Sequence, residues 1–531
     1  MIRTLGPHHA LSTCLDALSS SLGSCPPLHA PYDTNAGLRS RVSCNDRPAQ
    51  HLGAKDDERA GIVFVRYSQV EDRGCRCKRV GRVFISEHNY LIRFSIKFSP
   101  AVAEKMIEQL TAGWLEVLAR AVAGGSPWPK PRTLHIDFFG GGFVAKESKA
   151  LLGPEGKMLL WWSTGVAACV DNASEYKYAK TAREIYDDEI RRAGRTMDEI
   201  VGDVVCAANG SDKLDGRILE LVGGIKIYDH EHTAQGAGSP RNLAPILTAA
   251  QQLAELVDGF FCPTSSPLEP VAVPLCREYY KKRGKELFLV GPQMHDEEWD
   301  APSAGPGPSD ERVKTFLDNS RKNFGPKSVL YISFGSMFFP VVTPQLVEVM
   351  IDVLLSLETV IPFVFVLAGA MASLPQKSID AIHTSGRGIV CIEWVDQKAI
   401  LKSGTIGWFL THGGYNSLTE ALGQGIPLIF WPIGAEQALN AAMLSTGPNP
   451  IGIELFQIRA GEQLGPSLRP DAPKITGTSE DAKEEFRQAF SDLKGPRGET
   501  LTRNADRIGE LWREERIDGE PVKEIARLAR F

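Results

Sequence analysis

The stretch Trp394–Gln437, WVDQKAILKSGTIGWFLTHGGYNSLTEALGQGIPLIFWPIGAEQ, decides the fold. Gly407–Thr411 (GWFLT) is short and apolar enough for a buried strand of a parallel sheet. His412, Gly413 and Gly414 follow as a tight turn, because glycine adopts backbone angles closed to other residues. Asn416–Leu422 predicts a helix start, with Asn416 or Ser417 as its cap and Ser417 and Glu420 at capping-box spacing. Strand, glycine turn and helix N-terminus together make an anion site, where free N–H groups and the positive end of the helix dipole converge. Ile426–Trp431 predicts the next strand. Its polar end, Gly434-Ala435-Glu436-Gln437, opens on the sheet edge where open α/β proteins bind ligands.

Working outward, the same alternation recurs. Towards the N-terminus, Arg312–Asn323 reads as a helix, Ser328–Phe334 as a strand, Leu346–Leu357 as an amphipathic helix, and Pro362–Leu367 and Gly388–Trp394 as strands. Gly335-Ser336 after SVLYISF is a second place for backbone N–H groups to meet phosphate. After Gln437 come a helix over Ala438–Leu444, a Gly/Pro-rich insert over Gly447–Gly477, and charged helices over Ser479–Leu493 and Gly498–Glu515. Strands alternating with helices imply a doubly wound parallel sheet. Asp300–Pro308 (DAPSAGPGP) has linker composition.

The first half is less regular. Gly61–Tyr67 and Gly81–Ile85 read as strands, Ser99–Ala123 as an amphipathic helix, and Thr133–Phe139 (TLHIDFF) as a buried strand with Asp137 near its end. Gly140-Gly141-Gly142 reads as a turn. Lys157–Cys169 reads as a strand turning into a helix, Asp171–Gly223 as mostly helical, and Leu253–Cys262 and Glu286–Val290 close the unit. Residues 1–60 show little periodicity, with Leu5-Gly6-Pro7-His8-His9 ahead of a possible helix over Ala10–Leu22.

Composition narrows the function classes. The chain has 531 residues, 43% hydrophobic and 23% charged, enough for two domains of ordinary size. A net charge of −6 gives no reason to expect a nucleic-acid partner. No apolar run is long enough for a membrane span, and no signal-peptide pattern opens the sequence. The ten cysteines match no zinc spacing and read as reduced thiols of a cytoplasmic protein.

The Trp394–Gln437 stretch resembles the sugar-nucleotide signature of the UDP-glycosyltransferases of glycosyltransferase family 1. Trp394, Gln397, His412, Gly414, Asn416, Ser417, Glu420, Gly425, Pro427, Trp431, Pro432, Glu436 and Gln437 fall where that signature has them. Gly413 stands where cysteine is frequent, and Tyr415 where tryptophan is usual. The resemblance implies an α/β GT-B protein, two Rossmann-like doubly wound domains facing across a cleft. The expected division is an atypical segment 1–60, an acceptor-binding domain 61–295, a linker 296–310 and a UDP-sugar-binding domain 311–531.

It also implies roles. Trp394 would stack on uracil and Gln397 would bond the ribose region. His412, with the backbone of Asn416 and Ser417, would hold the pyrophosphate, and Ser336 would touch it from the other strand end. Glu420 suits the two ribose hydroxyls, since a carboxylate accepts from two donors. Glu436 and Gln437 would meet sugar hydroxyls, with Gln437 favouring glucose. Val395, Gly414 and Tyr415 belong to the same UDP-sugar site. Asp137 resembles the family's catalytic aspartate, partnered by a histidine base for which His9, in an unusual context, is the nearest match by chain order. Either the chain departs from the family over residues 1–60, or those residues come from a wrong exon or a shifted reading frame. The expected reaction moves a hexosyl group, glucose first, from a UDP-sugar co-substrate to a small lipophilic alcohol or phenol. It would be inverting, with no metal, no cofactor and a monomeric enzyme. A UDP-sugar binder with an impaired base loop is the alternative.

Overall fold

The computed structural model describes strands within 63–95 and then residues 100–531, apart from 126–129, 138–143, 173–177, 210–215, 223, 233, 236–247, 249, 295, 300–306, 370 and 470–471. His9, the helix expected over Ala10–Leu22 and the turn Gly140-Gly141-Gly142 lie outside the described residues.

The first half builds a seven-stranded sheet from β1 (Val63–Arg66), β2 (Val80–Ile85), β3 (Asn89–Ser95), β4 (Thr133–Asp137), β5 (Lys157–Trp161), β8 (Gly259–Cys262) and β9 (Glu286–Leu289). The remaining pair, β6 (Ile218–Leu221) and β7 (Ile225–Tyr228), forms a separate antiparallel hairpin. The large sheet runs β1-β2-β3-β4-β5-β8-β9, in chain order. β1, β2 and β3 are antiparallel neighbours, and every pair from β3 to β9 is parallel. β3 is not among the expected strands, since NYLIRFS carries an arginine inside its apolar run. Alternate side chains of β4 and β5 divide between two faces. Leu134, Ile136, Met158 and Leu160 enter one core, and Leu159 the other.

The second half is a six-stranded parallel sheet of β10 (Val329–Ser333), β11 (Phe363–Val366), β12 (Gly388–Cys391), β13 (Ile406–Thr411), β14 (Leu428–Phe430) and β15 (Gly452–Glu454). The order is β12-β11-β10-β13-β14-β15. The chain first winds from β10 out to β12, then returns to lay β13 on the other side of β10. Both sheet faces are covered: Leu330, Phe365 and Leu410 enter one core, and Val329, Val364 and Phe409 the other. Burial on both sides explains the near-continuous apolar strands. Glu311–Phe324 shows how one covering helix is specified. Asp310 caps it by accepting from Arg312 and Val313 N–H, Val313 and Leu317 face the core, and Gly325, at φ 90°, ends it.

The described residues of the Gly447–Gly477 insert carry regular structure. They supply β15 and a bridge between Gly465 and Ile475. A final helix, Glu520–Leu528, beyond those expected from the sequence, follows Pro496–Asp518.

Each half lends an element to the other. Glu520–Leu528 returns to the N-terminal sheet, where Arg277 bonds Glu520 at 2.8 Å and Glu524 at 3.0 Å, and Leu528 joins the Phe261–Phe288 core. In exchange, residues after β7 enter the C-terminal half. Ala234 sits in its core, and Gln235 Nε2 donates to the Ile458 carbonyl at 3.1 Å. A fully buried charge network seals this junction. Arg469 meets Glu231 at 2.9 Å and Glu454 at 3.2 Å, and Arg459 meets Glu454 at 2.9 Å. Two guanidinium groups and two carboxylates balance, as buried charge requires.

Candidate active site

β10 and β13 are neighbours from which the chain departs in opposite directions, so their carboxyl ends flank the crevice of a doubly wound sheet. The β10 end carries Gly335 and Ser336, and the β13 end carries His412 and the glycine turn. Gly335 has φ 73° and presses on the imidazole: a Cβ there would lie 2.8 Å from His412 Cε1. A Cβ on Gly414 would run into the same ring. The imidazole is therefore wedged between two backbones, with Phe338 stacked on it at 5.7 Å. Burial lowers its pKa to about 4, so His412 is neutral near pH 7.

The helix after the turn spans Tyr415–Gly423, and Gly414, in extended conformation, is its N-cap. This corrects the expected cap. The helix begins ahead of Asn416, so Asn416 and Ser417 sit inside its first turn and no side chain caps it. The first intrahelical bond comes from Leu418 N–H to Gly414 O. Tyr415, Asn416 and Ser417 N–H thus precede the hydrogen-bonded helix, as an anion site requires. Asn440 Nδ2 fixes the turn by donating to Gly413 O at 2.9 Å.

Glu420 does not complete a capping box. Its carboxylate accepts from Gln397 Nε2 at 2.8 Å. Burial pushes the Glu420 carboxyl above its ordinary range, partly offset by that hydrogen bond. The two tryptophans of the stretch separate cleanly. Trp431 is wholly buried, stacked on Phe486, and is core. Trp394 is 70% exposed, so its indole face is open to a ligand, while Val395 beside it is buried. Ser336 and Asn416 are exposed.

Gln437 is buried, and its Oε1 accepts from Ile433 and Gly434 N–H at 2.9 and 3.0 Å. It holds the loop in which Ala435 takes the left-handed φ of 53°. Glu436 follows, its carboxyl pushed up by burial against the pull of backbone N–H groups, including that of Tyr415. The Tyr415 side chain leaves the crevice: it is buried, and its hydroxyl donates to Pro263 O of the other domain at 3.4 Å. On that side Glu269, also missed in the sequence, accepts from Val166 and Ala167 N–H at 3.0 Å each. No spacing in the sequence joins residues so far apart.

Asp137 ends β4, fully buried. Thus the structure gathers Ser336, Gly414, Asn416, Ser417 and His412 around two neighbouring strand ends and links Gln397 to Glu420. Asp137 stands at a strand end of the other sheet. Among the described residues no group of three or more His, Cys, Asp or Glu side chains is arranged to hold a metal ion. No described helix is long and apolar enough to cross a membrane.

Comparison with known proteins adds to this geometry. Residues 307–458 match the family model for "UDP-glucoronosyl and UDP-glucosyl transferase". The UDP-glycosyltransferase eriJ of Hericium erinaceus is 32% identical over 291 residues, 52% of this chain and 54% of that protein. A hydroquinone glucosyltransferase of Rauvolfia serpentina is 28% identical over 332 residues, 59% of this chain and 63% of that protein. The chain thus spans about half the length of the curated relatives it matches. Among solved structures, a UGT transferase from Siraitia grosvenorii in complex with UDP aligns at TM-score 0.56 and 17% identity, covering 82% of this chain and 88% of that one. Phytolacca americana UGT2 complexed with UDP-2fluoro-glucose and pterostilbene aligns at 0.54 and 20%, covering 80% and 79%. The structural likeness establishes the GT-B fold. The family match adds a sequence likeness to the UDP-glycosyltransferases over residues 307–458.

Proposed function

We propose that the protein transfers a hexosyl group, glucose in the first instance, from a UDP-sugar to a hydroxyl of a small lipophilic acceptor. The observation that carries this reading is the first turn of the Tyr415–Gly423 helix, where Asn416 and Ser417 N–H precede the first intrahelical bond, at the switch point between β10 and β13 and in the same signature stretch as an exposed indole. The Asn416 and Ser417 N–H groups, the helix dipole and a neutral His412 suit a diphosphate. Trp394 would stack on uracil, beside Val395. Glu420 would take the ribose hydroxyls, and Ser336 would meet the diphosphate from β10. Glu436 and the amide nitrogen of Gln437 would meet sugar hydroxyls. The relative named for hydroquinone glucosylation supports a phenolic acceptor and glucose.

An alcohol is a poor nucleophile until its proton is removed, and a neutral histidine held by a buried carboxylate suits that task. Asp137 is assigned the carboxylate role, and His9 that of the base. The departing UDP would be stabilised by the helix N-terminus, so the chemistry asks for no metal. Single-step displacement inverts the anomeric carbon. The enzyme is proposed to act as a cytoplasmic monomer.

Calorimetry with UDP, followed by incubation with UDP-glucose and a panel of phenols and sterols, tests this. Binding in the micromolar range and a β-glycoside product are expected. Absence of heat from UDP would sink the donor site, and UDP binding without any glycoside would sink the transfer. His412→Ala is expected to weaken UDP binding.

A further inference from the structure

Behind the crevice, β10 carries a buried hydroxyl that packing does not require. Tyr331 lies between the apolar neighbours Val329, Leu330 and Ile332, fully buried, with its ring tilted on Phe409 at 4.8 Å. A phenylalanine would fill that space. Burying a hydroxyl costs free energy unless it is bonded, and this one is: it donates to Gln397 Oε1 at 3.3 Å. The same Gln397 donates through Nε2 to Glu420 Oε2 at 2.8 Å. Both ends of the amide are therefore committed. Rotated by half a turn, it would point its oxygen at the carboxylate and push it away. Burial pushes the phenol pKa up, so the hydroxyl keeps its proton throughout the working pH range.

Gln397 is itself held from below. It opens a short helix capped by Asp396, whose carboxylate accepts from Ala399 N–H. Backbone and side chain of Gln397 are thus both fixed, which a side chain acting only on a transient ligand would not need.

We propose that Tyr331 is a positioning residue for nucleotide recognition: its hydroxyl orients the Gln397 amide, which aims the Glu420 carboxylate at the ribose. The proposal rests on the UDP-sugar reading above. It assigns these contacts of Gln397 to the carboxylate rather than to the nucleotide.

The test measures affinity of the full chain for UDP and for 2′,3′-dideoxy-UDP, whose ratio reports ribose recognition. Tyr331→Phe is expected to lower the preference for UDP by about fivefold, the size of one lost hydrogen bond, while affinity for the dideoxy analogue stays unchanged. Gln397→Met should give the same loss. In a Glu420→Ala background, Tyr331→Phe should change nothing, since the group it serves is gone. Circular dichroism and the thermal midpoint confirm that each variant is folded. Equal loss of both ligands would mean that Tyr331 only packs, and it would overturn the proposal. So would an unchanged preference, or a loss that persists without Glu420. If the unaltered protein binds neither ligand, the donor-site reading itself fails.

Discussion

The two sheets of this protein are built from the same alternation of strand and helix, yet they end differently. The C-terminal sheet reverses its order between β10 and β13 and so opens a crevice, around which Gly335, His412 and the first turn of the Tyr415–Gly423 helix converge. The large N-terminal sheet runs in chain order through its described strands, with no reversal among them. It brings one buried carboxylate, Asp137, to the end of β4. A site formed mainly by backbone needs a topological switch point. A single acid needs only a strand end to stand on.

The sharpest way to break this contrast is Asp137→Asn. If the N-terminal sheet supplies the catalytic carboxylate, turnover should fall about 10⁴-fold, the loss typical of an orienting aspartate, while UDP affinity holds. Unchanged turnover in a glycosylation assay would remove Asp137 from the mechanism. Next comes the junction at which the halves exchange elements. Arg469→Met leaves Glu231 and Glu454 buried without a full counter-charge, and unfolding in denaturant should show a loss of about 3–5 kcal/mol. A loss below about 1 kcal/mol would mean that the halves are held together by their other contacts.

The pH dependence of stability sharpens the comparison from the C-terminal side. His412 has its pKa lowered from 6.5 to about 4 by burial. Between those values the unfolded chain binds the extra proton, so stability rises with pH and is lost as pH falls towards 4. The slope is at most about 1.4 kcal/mol per pH unit for one group. Burial lowers His135 of β4 to about 4 as well, so His412→Asn should remove only the His412 share of the slope over that window, and an identical slope in the variant would contradict the burial argument. Last, Gly335→Ala forces a side chain into a left-handed position and against the imidazole. An affinity loss of about tenfold for UDP is expected, from roughly 1–2 kcal/mol of strain. Normal titration by UDP would show that the wedge around His412 yields freely.

How much of this was legible in the sequence differs between the halves for the same reason. Strands of the C-terminal sheet are buried on both faces, so SVLYISF and GWFLT stand out as apolar runs. Their polar ends, from His412 to Glu420, lie together in the chain as well as in space. In the N-terminal half, NYLIRFS carries an arginine that interrupts its apolar run. Glu269 gave no signal, because its partners Val166 and Ala167 are distant in sequence. The cap falls at Gly414 and not at the expected Asn416 or Ser417. Asn416 and Ser417 are strong cap formers, but the glycine before Tyr415 adopts the extended backbone that lets the helix start earlier.

By itself the sequence determined the alternation of elements, the glycine turn after β13 and the set of polar groups at the strand end, since these depend on local periodicity and on residues a few positions apart. Only the tertiary structure decided that Trp394 faces outward while Trp431 is core, that Gln397 serves Glu420, and that Tyr415 turns to the other domain. It alone joined Glu231 to Arg469 and brought the last helix back to the first sheet. Each of these depends on which surface covers a side chain, and that cover comes from residues far away in the chain, where no local pattern reaches.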